Sequence, residues 1–231
     1  MSQGTKLLAN TAMSGSSRLL QVAYGAAELV APGQWFRLQL PGQGLQLAVL
    51  DASKREGWLA FQGPGEVAGH ARGTYVELSA PQGEPIHRPA GERRLVLIAD
   101  EAGLPAILFA ASRGWPIHLA LIGLTATEPP LRLRPSRFLL PGFGPGAIAG
   151  IAVLEDAGIP SRIAHPHPLP GCQEGTLAQL VTGWLDAQSA RQRWQMAATV
   201  LGEEVNVQRV DALLRGQIGA HHRHVMPCVS G

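Results

Sequence analysis

The stretch Leu95-Val-Leu-Ile-Ala-Asp-Glu-Ala-Gly-Leu-Pro-Ala-Ile107 decides how this chain is read. Its first five residues are apolar without a break, the pattern of a strand covered on both faces. Residues 100–103 interrupt the run, and Pro105 carries the fixed φ that suits a first helical turn. A buried strand leading through a short turn into a helix is the repeating unit of a parallel α/β sheet. Helix starts at the carboxyl ends of such strands bind anionic groups, because their unpaired N–H groups point outward. The turn is therefore either a dinucleotide phosphate or ribose site or an ordinary strand-to-helix connection. Gly103 is its single glycine, where backbone can approach a ligand. Asp100 and Glu101 repel phosphate, yet suit ribose hydroxyls.

Toward the carboxyl terminus the unit repeats. A helix over 104–113 leads to an apolar strand over 117–122. A strand at 137–140, a helix over 145–157 and a strand at 161–164 follow. A helix over 176–189, a strand over 195–201, a helix over 203–215 and a last strand over 222–228 complete the series. Alternation of this kind gives a parallel sheet with helices on both faces.

Toward the amino terminus the pattern is different. Short apolar segments at 7–13, 18–24, 35–40, 45–50, 57–61 and 75–79 are separated by Gly/Pro turns such as Pro41-Gly42 and Gly63-Pro64-Gly65. Phe36, Leu38 and Leu40 alternate with Arg37 and Gln39, the period of a half-buried strand. Six such strands predict an antiparallel β-barrel or sandwich. A linker over 85–91 separates the halves, giving expected domains at 1–90 and 93–231.

The composition fits a globular protein, with 45% hydrophobic and 16% charged residues over 231 positions. A formal charge of +2 gives no reason to expect nucleic acid or an anionic membrane as a partner. The sequence contains neither a signal-peptide pattern nor an apolar run of membrane-spanning length. Cys172 and Cys228 make no disulfide framework, so a cytoplasmic location with free thiols is expected.

Three segments in order, Ala31-Pro-Gly-Gln-Trp-Phe-Arg-Leu-Gln-Leu40, Gly73-Thr-Tyr-Val-Glu-Leu-Ser-Ala-Pro-Gln-Gly83 and residues 95–107, resemble the ferredoxin-reductase superfamily. Within it the chain is most similar to the electron-transfer subunit of bacterial dihydroorotate dehydrogenase. Gly158-Ile-Pro-Ser-Arg-Ile163 and Gly171-Cys-Gln-Glu-Gly-Thr-Leu177 resemble parts of that family's nucleotide domain. Residues 100–105 also resemble a stretch of siderophore-interacting flavoproteins, a sister family. The resemblance implies an FAD-binding-type barrel followed by an NAD(P)-binding-type α/β domain. It implies electron transfer from NAD(P)H through FAD to a partner redox subunit. Gly103, Leu104 and Pro105 then lie on the nicotinamide side, and Gly63, Gly65 and Gln46 on the flavin side.

The departures are chemical. The family holds FAD with an arginine, an aromatic and a hydroxyl residue on one barrel strand. The matching Leu45-Gln-Leu-Ala-Val-Leu50 has none of the three. Gln62-Gly-Pro-Gly-Glu-Val-Ala-Gly69 keeps the glycines of a phosphate loop and adds Glu66. Each charge-assisted bond lost there is worth about 1.5–3 kcal/mol. The end, Arg223-His-Val-Met-Pro-Cys-Val-Ser-Gly231, resembles the approach to the first cysteine of a [2Fe–2S] site. Such a cluster takes four thiolates, so two cysteines predict no intact cluster. A non-catalytic descendant that binds a nucleotide or a partner subunit is the alternative to the oxidoreductase.

Three smaller patterns have two readings each. Pro141-Gly-Phe-Gly-Pro-Gly-Ala-Ile-Ala-Gly150 is a phosphate turn or a tight strand-to-helix turn. His221, His222, His224 and Cys228 are a metal set or a solvated chain end. Cys172 is a reactive thiol near a ligand or an inert one. No Ser/His/Asp order, carboxylate pair or P-loop supports a hydrolase.

Overall fold

The computed structural model describes residues 2–89 and 93–227. Six strands, β1 (Ser2–Ala12), β2 (Arg18–Ala23), β3 (Trp35–Leu40), β4 (Gln43–Ser53), β5 (Trp58–Gly63) and β6 (Tyr75–Ser79), close into an antiparallel barrel. The order around the barrel is β1-β2-β5-β4-β3-β6. The alternation in β3 does what its period requires: Phe36, Leu38 and Leu40 are buried, while Arg37 and Gln39 face solvent. Gly42, at a φ of 80°, makes the tight turn into β4 that a side chain would strain. Tyr24, Phe36 and Phe61 meet edge to face inside, with centroids 5.4 and 5.8 Å apart.

The second half is built on a six-stranded parallel sheet. Its strands are β7 (Arg94–Ala99), β8 (Ile117–Gly123), β11 (Ser161–His165), β12 (Gln173–Glu174), β13 (Met196–Gly202) and β14 (Ala220–Val225), in the order β12-β11-β8-β7-β13-β14. The expected fold class, an antiparallel barrel followed by a parallel-sheet α/β layer, is the one observed. Helix α1 (Leu104–Ser112) covers one face, packing with Leu95, Leu97 and Ala99. Helices α3 (Leu177–Asp186) and α5 (Glu204–Leu214) cover the other, with Val96 and Ile98. A capping box, Thr176 with Gln179, starts α3, and a second, Ser189 with Gln192, starts the short α4 (Ala190–Trp194).

Helix α1 joins the halves. Residues 104–110 are buried on every side, because the helix lies between the sheet and β4. Phe109, fully buried, belongs to the hydrophobic cluster of the barrel rather than to that of the sheet. Ala48 on β4 does the reverse, packing with α1 and the sheet. The Ser112 hydroxyl donates to Asp51 on β4 at 2.8 Å.

One region departs from the sequence reading. Residues 137–140 form no strand, and the expected helix over 145–157 shrinks to α2 (Ala152–Asp156). Instead β9 (Leu133–Pro135) and β10 (Ala149–Ile151) pair antiparallel as a small separate sheet. Gly146 and Gly150 fall inside that expected helix, where each is less favourable than alanine by about 1 kcal/mol. A side chain at Gly150 would also run into the Glu155 carboxylate, whose own side chain is fully buried. The glycine pattern over 141–150 is thus a loop leading into β10 and not a strand-to-helix turn. Gly142 has a φ of 92° and seats the loop against α3.

Candidate functional site

In the sheet order, the chain leaves β7 toward β8 and later returns to β13 on the other side of β7. This reversal opens a crevice beyond the carboxyl ends of β7 and β13, the usual ligand position in open α/β sheets. Helices α1 and α5 both begin there, and a helix start is where backbone N–H groups lack partners within the helix. Asp100 stands between them, only 7% exposed. One carboxylate oxygen accepts from the backbone N–H groups of Ala102 (3.0 Å) and Gly103 (3.2 Å), just before α1. The other accepts from the Glu203 N–H and the Asn206 side-chain amide, each at 2.8 Å, at the start of α5. The chain's own anion thus occupies the place where a ligand phosphate would meet two helix starts. Burial raises the Asp100 carboxyl above its ordinary value; the bonds from Asn206, Glu203 and Gly103 pull it back, and the Glu203 charge adds to the rise.

The surrounding glycines follow from this arrangement. Gly202, at a φ of 148°, lets the chain pass beside Asp100, whose carboxylate any Cβ there would overlap. Gly103 lies against the backbone carbonyl of Leu201, so its lack of a side chain serves the packing of the turn on β13. Leu104 and Pro105 are buried in the core of α1. None of the three nicotinamide-side candidates presents a side chain to the crevice. Glu101 is also committed, accepting from Thr125 N–H (2.9 Å), the Thr125 hydroxyl (2.8 Å) and Ala126 N–H (2.7 Å).

Between this strand end and the barrel lies a cleft of about 280 Å³. Ser16, Gly63 and Gly65 line its barrel wall, and Glu101, Ala102 and Ala126 the opposite wall. Two flavin-side candidates, Gly63 and Gly65, therefore do face the turn that follows β7. Both also serve packing, since a Cβ would meet Leu20 at 2.7 Å and the Ser16 carbonyl at 2.6 Å respectively. Gln46 lies elsewhere, exposed on the outer wall of the barrel beside Arg37 and Gln39.

The charge of the cleft is one-sided. Glu66, Glu101, Glu128 and Glu203 line it, with no Lys, Arg or His among the described residues that do so. Its orphan buried atom, Oε1 of Gln62, is again an acceptor. Glu128 and Glu203 carried no local sequence signal. They reach the cleft only through the fold.

FAD and NAD(P)H each carry a diphosphate, and these residues do not fit one. The four carboxylates repel it, Asp100 holds the helix N–H groups, and the volume sits just below the usual 300–1,000 Å³ of small-molecule sites. From β4, Leu45, Leu47 and Val49 turn into the barrel core, and Ala48 into the core shared with α1.

The smaller patterns resolve in part. Burial pushes the Cys172 thiol up to about 11, which leaves it protonated and unreactive. His221 pairs with Asp211 at 3.1 Å, and among the described residues no group of His, Cys, Asp or Glu is arranged to hold a metal ion. Cys228, and with it the cluster-like chain end, lies outside the described residues. Among those residues no helix is long and apolar enough to cross a membrane.

No protein-family model matches the chain, and no curated protein matches it. Solved structures do. The ferredoxin reductase of carbazole 1,9a-dioxygenase superposes with a TM-score of 0.69 at 15% identity, over 97% of this chain and 69% of that one. A ferredoxin NADP+ reductase from Neisseria gonorrhoeae, solved with bound FAD and NADP, gives 0.64 at 11% identity, over 96% and 98%. The siderophore-interacting protein from Acinetobacter baumannii gives 0.62 at 13% identity, over 100% and 93%. At these identities the likeness is one of fold.

Proposed function

We propose that this chain uses the ferredoxin-reductase fold to bind a partner subunit and does not carry out dinucleotide redox chemistry. The observation that carries this reading is the Asp100 carboxylate, bonded to four donors at the crevice between β7 and β13. The acidic lining of the adjoining cleft supports it. In this reading the strand-end turn is a structural joint, and function moves to the outer surfaces of the protein.

A second reading keeps the chemistry of the fold: an electron-transfer component of the dihydroorotate dehydrogenase type, passing electrons from NAD(P)H through FAD to a redox partner. The position of the cleft favours it, since it lies between barrel and sheet at the topological switch point.

A spectrum separates the two. The purified full chain should be colourless at about 450 nm, fail to retain FAD after incubation and gel filtration, and give no heat on titration with NADH or NADPH. Stoichiometric retained flavin that NADH bleaches would establish the second reading.

A further inference from the structure

The two ends of strands β7 and β13 carry opposite charge. Their carboxyl ends border the acidic cleft. At their amino ends, Arg93, Arg94, Trp194 and Gln195 line an open hollow of about 390 Å³. The fold makes this hollow. Arg94 opens β7, its N–H donates to the Gln195 carbonyl at 2.9 Å, and Trp194 ends α4 just before β13. Arg191 and Arg193 add two more cations on α4, which buries none of its residues. From Gln188 to Gln195 the chain has no acid.

Neither end is neutralised from within. Trp194 is 59% exposed, and Arg93 and Arg94 are exposed beside it. Among the described residues the side chains of these three make no hydrogen bond and no salt bridge. All three offer donors only. At the cleft the sense is reversed. Glu66 and Glu128 are exposed and reach no salt bridge among the described residues, and the Gln62 carbonyl oxygen has no donor. The six residues of β7 set the ends about 20 Å apart, beyond the screening length of about 8 Å in physiological salt. The formal charge of +2 therefore hides two separated, unanswered charges.

We infer that the chain associates with a second copy of itself head to tail: the end of one molecule that carries Arg93, Arg94 and Trp194 docks in the acidic cleft of the next. Trp and Arg are the side chains that most often anchor interfaces, and here a surface of donors meets a surface of acceptors. Like ends repel, patch against patch or cleft against cleft, which disfavours a two-fold dimer through either. A foreign acidic protein would satisfy the arginines and leave the carboxylates of the cleft without counter-charge. A second copy answers both ends at once. Each docking leaves one free patch and one free cleft, so the contact propagates into a short chain or closes into a ring. The inference rests on the partner-binding reading above and names the partner.

Sedimentation velocity of the full chain tests it. In low salt the sedimentation coefficient should rise with protein concentration. At about 1 M salt, where the screening length falls to about 3 Å, it should return to the monomer value. Arg93→Glu combined with Arg94→Glu should weaken association at least about tenfold, and so should Glu66→Lys combined with Glu128→Lys. An equimolar mixture of the two double variants should recover it, because the acidic end of one then fits the basic cleft of the other. All four residues are exposed, so circular dichroism should show both variants folded. A chain that is monomeric at every concentration in low salt, unchanged association in either variant, or a mixture that stays monomeric overturns the proposal. So does a monomer held on heparin through Arg93 and Arg94, which makes a foreign polyanion the occupant. The flavin spectrum is independent: a yellow, NADH-reducible protein that still associates defeats the non-redox reading alone, and a colourless monomer defeats head-to-tail docking alone.

Discussion

The two walls of the cleft part from anion binding by different physical routes. On the barrel side, the turn over 62–66 keeps its glycines and its open space, and Glu66 brings the wrong charge. Among the described residues no side chain fills that space. On the sheet side the space is filled: Asp100 takes the donors that a phosphate would take. A site closed by a surface charge can be reopened by changing that charge. A site closed by an internal ligand has become part of the stability of the fold.

The largest effect expected from this contrast is that of Asp100→Ala. It leaves four donors without their acceptor, two of them buried and two half-buried, and should cost about 3–5 kcal/mol in chemical denaturation. A cost below about 1 kcal/mol would mean that Asp100 is not a structural joint, and the contrast would collapse. Gly103→Ala comes next, at about 1–3 kcal/mol, because the new methyl group overlaps the Leu201 carbonyl. Calorimetry should find no NADH binding with or without it; NADH binding by the wild type that the variant loses at unchanged stability would return Gly103 to the ligand site.

Glu66→Lys combined with Glu128→Lys probes the other wall. Both residues are exposed, so the unfolding midpoint should hold, while affinity for ADP should rise at least about tenfold. If the double variant gains nothing, charge is not what closes the barrel side.

The smallest effect is in pH. Burial holds His224 below the ordinary histidine value, with His222 and His87 adding to the depression and Glu84 opposing it. The unfolded chain therefore takes up this proton before the folded one does. The contribution is full above about pH 6.5 and is lost as pH falls toward the depressed folded value. Asp100 has the opposite sign, since its raised carboxyl favours the folded state below the ordinary carboxylate value and loses that contribution as pH rises through the raised one. Unfolding midpoints measured from neutral to mildly acidic pH should fall in the wild type and fall less steeply in His224→Gln, the remaining slope coming from His118, which burial and the Arg94 charge also depress.

Legibility in the sequence follows locality. The barrel strands could be read because alternation and turn residues are local signals, and β7 because an unbroken apolar run is one. The region over 137–157 folds differently from its sequence pattern: its glycines and prolines look like turn chemistry opening a helix, whereas Gly150 makes room for the buried Glu155. At the site, the repulsion of phosphate by Asp100 was legible. Its partners Glu203 and Asn206 were not, because they lie 103 and 106 positions further along the chain.

Phe109 sets an order of events during synthesis. The barrel strands end at Ser79, yet a ring that completes their hydrophobic interior arrives thirty residues later, on α1. At about 5–20 residues per second the nascent barrel waits roughly seconds with an unfilled hollow. Its hydrophobic cluster is complete only once the first helix of the following sheet is in place. The amino-terminal half is thus unfinished on its own, and maturation of the barrel is timed by translation of its neighbour.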